Sequence, residues 1–440
     1  MNDSCDHRSE GENPAIEVSA ATVSITPPQL GIELAGYIRK SGAKAIHDPI
    51  EANGILFREH SGRTAIVLTL DTLYVGADLT NRLQRHLQER FGVAETDFLI
   101  FASHTHFAPA LDRSKLILGK VDDGYFDWVA TRCEALVAEL FQRRMLKPSI
   151  KSLRSNWFGA VYRRKPWPLP YLVSRKKLVF REPAMAPNPG GPTDPVVRLW
   201  EVGLGLDRIA LIWSCACHPT EHVNQYDVSA DYCGFVRHAL RQAVGWPIPV
   251  LFLQGFAGDL RPLPPRRRRS LRSIVNILLF GPTFGPFTAD SYAKWCEALA
   301  RVAQDMLGNQ AGRTEPLAGQ IASTKTDTAL SDLITGCSVG ARRITFQRLK
   351  IGNLFDVIGV PAEPSNQLRH LIPHRDVVPI GYLGDAFGYW PTEAQRQEGG
   401  YEAKTFLRAF GFAGGRLVAD LDQKFIDCLP GFDGERHARG

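Results

Sequence analysis

Two histidines separated by a single threonine close a run of apolar residues, Phe98-Leu-Ile-Phe-Ala-Ser-His104-Thr-His106. In extended backbone, residues two apart share a face. Both imidazoles can therefore address one pocket, as two metal ligands or as a ligand beside an acid–base group that titrates near neutrality. Two merely hydrogen-bonded histidines would leave the same pattern. A second apolar run, Ile209–Ser214, leads into Cys217-His218-Pro219-Thr220, and a third, Leu354–Val360, into Pro361-Ala362-Glu363-Pro364. Three strand patterns thus end on donors that suit zinc, two imidazoles and a carboxylate, a set that leaves a position for water in a catalytic site. Taken singly, Glu363 could cap the helix expected after it. The shared placement at strand ends favours a common site.

The segments between these donors alternate in type. The patterns predict a strand over Ile16–Thr26, a hairpin of Gly54–Phe57 with Arg63–Leu70 around His60-Ser61-Gly62, and a buried strand over Asp97–Ala102. A helix is predicted from an N-cap at Asp78 to about Phe91, with Leu79, Leu83 and Leu87 on one stripe. Further helices are expected near Tyr125–Arg143, Asp231–Val244, Ala289–Met306 and Pro364–Leu371. Further strands are expected near Val196–Val202, Ile209–Ser214, Ile248–Leu253, Arg342–Leu349, Leu354–Val360 and Val377–Tyr382. This order predicts an α/β fold, a layered mixed-sheet catalytic domain with the metal site at strand ends. Residues 1–14 read as a disordered tail and 15–440 as a single domain, with a basic and apolar insertion at 263–288.

A chain of 440 residues with 44% apolar and 10% aromatic side chains can bury a large core, which excludes disordered and fibrous classes. The formal charge of +6 is modest, and much of the excess sits in short runs such as Arg266–Arg269 and Arg163-Arg164-Lys165. No aromatic-interleaved basic stripe accompanies them, so nucleic acid is not an expected partner. The opening to Pro14 is polar, and the longest apolar run, Ile274–Phe280, is far shorter than the roughly 20 residues of a membrane span. The eight cysteines are irregularly spaced, so no disulfide framework is expected and a cytoplasmic location fits.

The segment Ser103-His-Thr-His-Phe-Ala-Pro109 resembles the Thr-His-Thr-His-Ser-Gly-Pro stretch of the neutral/alkaline, non-lysosomal ceramidase family. Leu34-Ala-Gly-Tyr37, His47-Asp-Pro49, Leu68-Thr-Leu-Asp71, Tyr162-Arg-Arg164, His218-Pro-Thr220 and Ser229-Ala-Asp231 with Gly234 are similar to family positions in order. So are Gly258-Asp259 with Pro262, Pro361-Ala-Glu363 and Gly388-Tyr389 through Tyr401-Glu402. The resemblance spans about residues 30 to 405, that of a bacterial-type homologue with the catalytic domain only, since no residues remain for the family's C-terminal immunoglobulin-like domain.

That resemblance implies a zinc ion held by His104, His218, Glu363 and Tyr389, and hydrolysis of an amide in an N-acyl substrate, ceramide-like or N-acyl amino acid-like. His106, Arg163 and Tyr401 match groups that assist catalysis: His106 as base and then acid to the leaving amine, Arg163 and Tyr401 on the oxyanion or the substrate. Without the resemblance, Tyr389 beside Trp390 would read as core or pocket wall. Ester or lactone hydrolysis is the nearest alternative chemistry, and a non-catalytic metal- or lipid-binding relative is the alternative of another class.

One departure bears on the substrate. The family's Gly-Asp-x-Ser-Pro motif stands here as Gly258-Asp-Leu-Arg261-Pro262. Arg261, with Asp259 beside it, is a candidate substrate-binding group for a carboxylate or phosphate, or a solvent-facing side chain. The following insertion, basic at 266–269 and apolar at 274–280, can contact a membrane surface through 264–287, form a lid over an apolar substrate, or be a loop with one short helix.

Overall fold

The continuous apolar runs FLIFA and VLFLQ form the strands Phe98–Ala102 and Val250–Gln254, each buried along its whole length. Such strands need cover on both faces, and three sheets packed together provide it. The computed structural model describes residues 14–173, 177–204, 207–265, 271–309 and 313–432. The first 13 residues and Arg266–Arg269 therefore lie outside the described residues, the predicted tail and the basic run among them.

The first sheet orders Glu17–Ser24, Glu51–Arg58, Thr64–Leu70 and Phe98–Ala102. The second orders Val250–Gln254, Asp207–Cys215, Val196–Leu204, Ser149–Asn156 and Arg313–Pro316. The third orders Ile321–Ala329, Arg343–Ile351, Phe355–Gly359 and Val378–Ile380. Their inner faces share one core, in which Phe57, Val67 and Phe101 meet Trp200, Ile212 and Leu253, and Leu349, Val357 and Ile380. Helices Ala77–Phe91 and Asp123–Gln142 bury Leu79, Leu83, Leu136 and Leu140 in the core on the other side of the first sheet. Helices Asp231–Val244 and Ala289–Gly308 cover the second with Val236, Leu240, Trp295 and Leu299.

Each sheet contains one parallel pair: Thr64–Leu70 with Phe98–Ala102, Asp207–Cys215 with Val250–Gln254, and Phe355–Gly359 with Val378–Ile380. Parallel strands end at the same edge, so each pair delivers two chain segments to one place. The fold thus presents six strand ends, where α/β proteins build their sites.

The predicted α/β layering is the observed one, with shifts at the edges. Asp78 lies in the first turn of its helix, where its charge favours the dipole, and Gly76 at φ 80° is the N-cap. The segment after Glu363 is a 3-10 turn, Asn366–Leu371, capped by Ser365. Strands Ser149–Asn156 and Ala160–Lys165 had no place in the pattern, the first because its exposed face carries polar residues without clean alternation, the second because it buries two arginines in place of an apolar run. The described cysteines are free thiols, and no helix among the described residues is long and apolar enough to cross a membrane.

Arg237, buried on helix Asp231–Val244, ties that helix to the first sheet: it meets Asp71 at 2.7 Å and Glu51 at 3.3 Å, while Arg241 holds Glu51 at 2.7 Å. Removing one partner of a buried ion cluster strands the others without compensation. Arg237→Met is expected to lower unfolding stability by about 3–5 kcal/mol, read as a fall in the urea midpoint. A midpoint unchanged from the native chain would show that the cluster is not a structural tie.

Candidate metal centre at the strand ends

His104 sits two residues past Phe98–Ala102 with φ 67°, left-handed backbone that costs a non-glycine residue of order 1 kcal/mol or more. Its amide is fixed by Thr72 O at 2.9 Å, and its ring Nδ1 meets Leu73 O at 2.9 Å. His218, past Asp207–Cys215, has its Nδ1 on Ala257 O at 2.9 Å. A carbonyl only accepts, so both Nδ1 atoms carry hydrogen and both Nε2 atoms present bare lone pairs. Those two Nε2 atoms lie 3.0 Å apart. Glu363 Oε2 lies 3.2 Å from one and 3.3 Å from the other, and has no hydrogen-bond donor.

Three acceptors facing one another in a buried space repel unless something positive stands among them. A proton on Oε2 would serve only one imidazole and leave the other unpaired. Zinc would serve all three: its bonds of about 2.0–2.1 Å in tetrahedral geometry separate donors by roughly 3.4 Å, close to the spacing found. The donor set fits the metal that the resemblance implies. Glu363 does not cap the following turn, since Ser365 does; it faces the histidines.

The surroundings fix the donors. The Tyr74 hydroxyl donates to Glu363 Oε1, leaving Oε2 for the cluster. Tyr382, also left-handed at φ 61°, stacks on His104 with ring centroids 4.2 Å apart. A side chain at Gly258 would stand 2.6 Å from the carbonyl oxygen of Glu363, so glycine lets the two backbones approach. Tyr389 is paired in parallel register with Glu363, and its phenol lies close enough to lower the Glu363 carboxyl against burial and to raise Arg163. It therefore stands beside the cluster, placed there by its strand pairing with Glu363.

His106 packs 5.1 Å from His104 and 5.6 Å from His218 between ring centroids, and neither of its ring nitrogens has a hydrogen-bond partner. Gly36 makes room for it, since a Cβ there would fall 2.4 Å from its Nδ1. Donor atoms of His104, His106 and His218 lie within 4.8 Å of one another. That is a looser set than the 3.0–3.3 Å cluster with Glu363, so the tighter group is the better metal site, with His106 next to it. Arg163 is buried, with Nε held by Glu402 at 2.6 Å and Nη2 free of partners. Its guanidinium lies 5.4 Å from the Tyr389 ring centre and 5.9 Å from that of Tyr401.

Burial sets the proton states. It pushes His104 down to about 3 and His106 and His218 well below their ordinary value, aided by neighbouring cations and imidazoles. It raises Glu363, Tyr389 and Tyr401. Arg163 is raised despite burial, by Tyr389 and Glu402.

Two expected site residues take other roles. Asp259 does not meet Arg261. One of its oxygens accepts from the Asn366 amide and side chain at 2.8 Å each, the other from Ser365 and from Gln395 at 2.8 Å. With its acceptors filled and no exposure, it braces the turn after Glu363 and is not free for a substrate. Arg261 bonds Glu221 through Nε at 3.1 Å and through Nη2, and stacks on Phe284 at 4.6 Å. The charge expected to await a substrate anion already has an internal partner. Tyr74, Tyr382 and Glu221 carried no motif that singled them out, and Glu402 stood in the sequence only as the neighbour of Tyr401.

No family model matches the sequence, and no curated protein matches it. Among solved structures, the neutral ceramidase from Pseudomonas aeruginosa aligns at TM-score 0.71 and 15% identity, over 95% of this chain and 74% of that one. A structure described as a ceramidase complexed with C2 aligns at TM-score 0.70 and 14% identity, over 94% and 75%. The chain has the fold of the neutral ceramidases.

In the metal-free protein, the three depressed imidazoles bind protons in the unfolded chain from about 6.5 downward but not in the folded one. Glu363 and His47 act oppositely, and so, lower in the acid range, do the raised carboxyls of Asp71, Glu221 and Asp231, so the three imidazoles lead between about pH 7 and pH 5. The unfolded state therefore binds more protons, and stability falls as pH drops below about 6.5. Chelator-treated protein should show a urea midpoint that declines from about pH 7 to about pH 5. A midpoint flat between about pH 7 and pH 5 would contradict neutral buried imidazoles.

Proposed function

We propose that this chain is a zinc-dependent hydrolase of the amide bond in an N-acyl, ceramide-like substrate. The observation that carries the reading is the convergence of the His104 and His218 Nε2 lone pairs and of Glu363 Oε2, which has no hydrogen-bond donor, at the strand ends of a ceramidase fold. His104, His218 and Glu363 would hold the ion, with Tyr389 as the fourth protein group beside them. When bound, zinc supplies a Lewis acid for a carbonyl and makes a nucleophile available from water near neutral pH.

The chain's own residues account for the remaining needs of amide hydrolysis. His106 is neutral and half-buried, with both ring nitrogens unpartnered, so it can take a proton from the nucleophile and return it to the leaving amine. Arg163 keeps its charge, is fixed by Glu402, and has Nη2 free to donate to a carbonyl oxygen that becomes negative. Tyr401 packs beside Tyr389 at 5.5 Å, and burial keeps its phenol protonated, as a second donor must be.

The pairing of Arg261 with Glu221 changes the substrate expected. An unpaired guanidinium would select an anionic head group, whereas a compensated pair presents little net charge. A neutral polar head group, as in a ceramide, is therefore admitted. Neutral N-acyl-sphingosine should be hydrolysed at least as well as an N-acyl amino acid with the same acyl chain. Preference for the acid, abolished by Arg261→Ser, would restore the anionic reading.

The roles of the two histidines separate experimentally. His104→Ala should lose both stoichiometric zinc, by elemental analysis, and turnover. His106→Ala should retain zinc and lose roughly 10²–10⁴-fold in kcat. Full zinc in His104→Ala, or no turnover of any amide by the zinc-loaded native protein, would refute the proposal.

A further inference from the structure

The helix Leu271–Phe280 is the one part of the predicted insertion with a regular structure among the described residues, and it is apolar where it meets solvent. Leu271 is 84% exposed, and Val275, Leu278 and Leu279 are each more than half exposed. Their spacing places them on one face. The helix packs against the strand Tyr171–Val173, and a Cβ at Gly281, just past its end, would fall 2.9 Å from the Tyr171 ring. That strand pairs with Lys177–Val179, where Leu178, and Phe180 just beyond, are again exposed apolar side chains. Arg181 lies 5.0 Å over the Phe180 ring. Two neighbouring segments thus offer unpartnered apolar surface to water, a placement that marks an interaction site.

The charge of the same stretches is one-sided. The sequence has no Asp or Glu between Asp259 and Asp290, where it carries Arg261, Arg266–Arg269 and Arg272. It has none between Asp123's helix partner Glu139 and Glu182 either, where it carries Lys165, Arg175, Lys176, Lys177 and Arg181 among others. An apolar helical face carried on sequence that is basic and free of acidic residues is complementary to one kind of surface, the headgroup layer of a bilayer that contains anionic lipid. A lid over the chain's own site would turn these leucines inward, and they face out.

We propose that the helix Leu271–Phe280 and the adjoining Leu178–Arg181 segment dock the protein on an anionic lipid surface. Docking there has a directional consequence. Phe284, four residues past the helix end, stacks on Arg261, and Arg261 belongs to the strand Leu260–Pro262 that pairs with Ala160–Lys165, the strand of Arg163. Lipid contact is therefore made next to the strands that flank the metal centre. The proposal is independent of the hydrolase reading, because it is tested by binding alone.

The test is co-sedimentation of the full chain with phosphatidylcholine vesicles, with and without phosphatidylglycerol. The native protein should bind only when phosphatidylglycerol is present, and less as salt rises. Val275→Asp with Leu279→Asp should weaken partition by at least about tenfold, with an unchanged circular dichroism spectrum and unchanged zinc content. Binding equal in both vesicle types, or undiminished in the double variant, overturns the proposal. So does concentration-dependent dimerisation that the double variant abolishes without any vesicle binding, which would make this face an interface between two copies of the chain. Should the double variant fail to fold, Leu279→Ser provides the same comparison with a smaller change.

Discussion

Three proton-acceptor atoms held about 3 Å apart in a buried space are the constraint around which the chain is organised. Two Nε2 lone pairs and a carboxylate oxygen do not approach in this way unless their other atoms are fixed. Each is fixed by backbone. Leu73 O and Ala257 O choose the tautomers of His104 and His218, and the Gly258 amide donates to Pro364 O at 2.8 Å, next to Glu363. Those carbonyls and that amide lie just past strands of three different sheets. The site therefore exists only when the sheets have packed, and the left-handed conformations of His104 and Tyr382 are maintained by that packing.

Charge is managed at one remove from this centre. Arg163 and Arg164 share Glu402, at 2.6 and 2.8 Å, and Lys115 is paired with Asp112 beneath the Tyr74 ring. The buried cations therefore do not need the site's carboxylate, which stays available to the histidines. Arg163 combines a satisfied side, Nε on Glu402, with a free Nη2, whereas Arg164 is bound through both Nη atoms and leaves only Nε free. A guanidinium anchored at one edge and open at the other is preorganised to receive negative charge without first breaking a bond.

What the sequence disclosed and what it withheld follow from the range of the interactions. The strands before His104, His218 and Glu363 were legible because burial on both faces forces continuous apolar runs. Helix Asp231–Val244 was legible to the residue because its stripe and flanking Gly245 are local signals. Strands Ser149–Asn156 and Ile321–Ala329 were not, since half-exposed strands carry polar residues whose partners are remote in sequence. Within the site, donor types at strand ends could be read, whereas Tyr74 on Glu363 joins residues 289 positions apart and leaves no trace in either neighbourhood. The partner of Arg261 was missed for the same reason: adjacent Asp259 is turned to Ser365, Asn366 and Gln395, and the carboxylate that answers Arg261 comes from Glu221, 40 residues away.

Arg261 stands where the resemblance places a serine, and the structure shows what must change with it. A lone guanidinium in so enclosed a place would be costly, and Glu221 compensates it. The flat face of the guanidinium then becomes a seat for Phe284, which belongs to the insertion. A serine could neither pair with Glu221 in this way nor offer that face. Arg261, Glu221 and Phe284 therefore form one unit, in which the altered motif is the attachment point of the apolar helix. The departure from the ceramidase pattern and the exposed face of Leu271–Phe280 are thereby linked physically: Arg261 anchors, through Phe284, an apolar and basic segment to the strand next to that of Arg163.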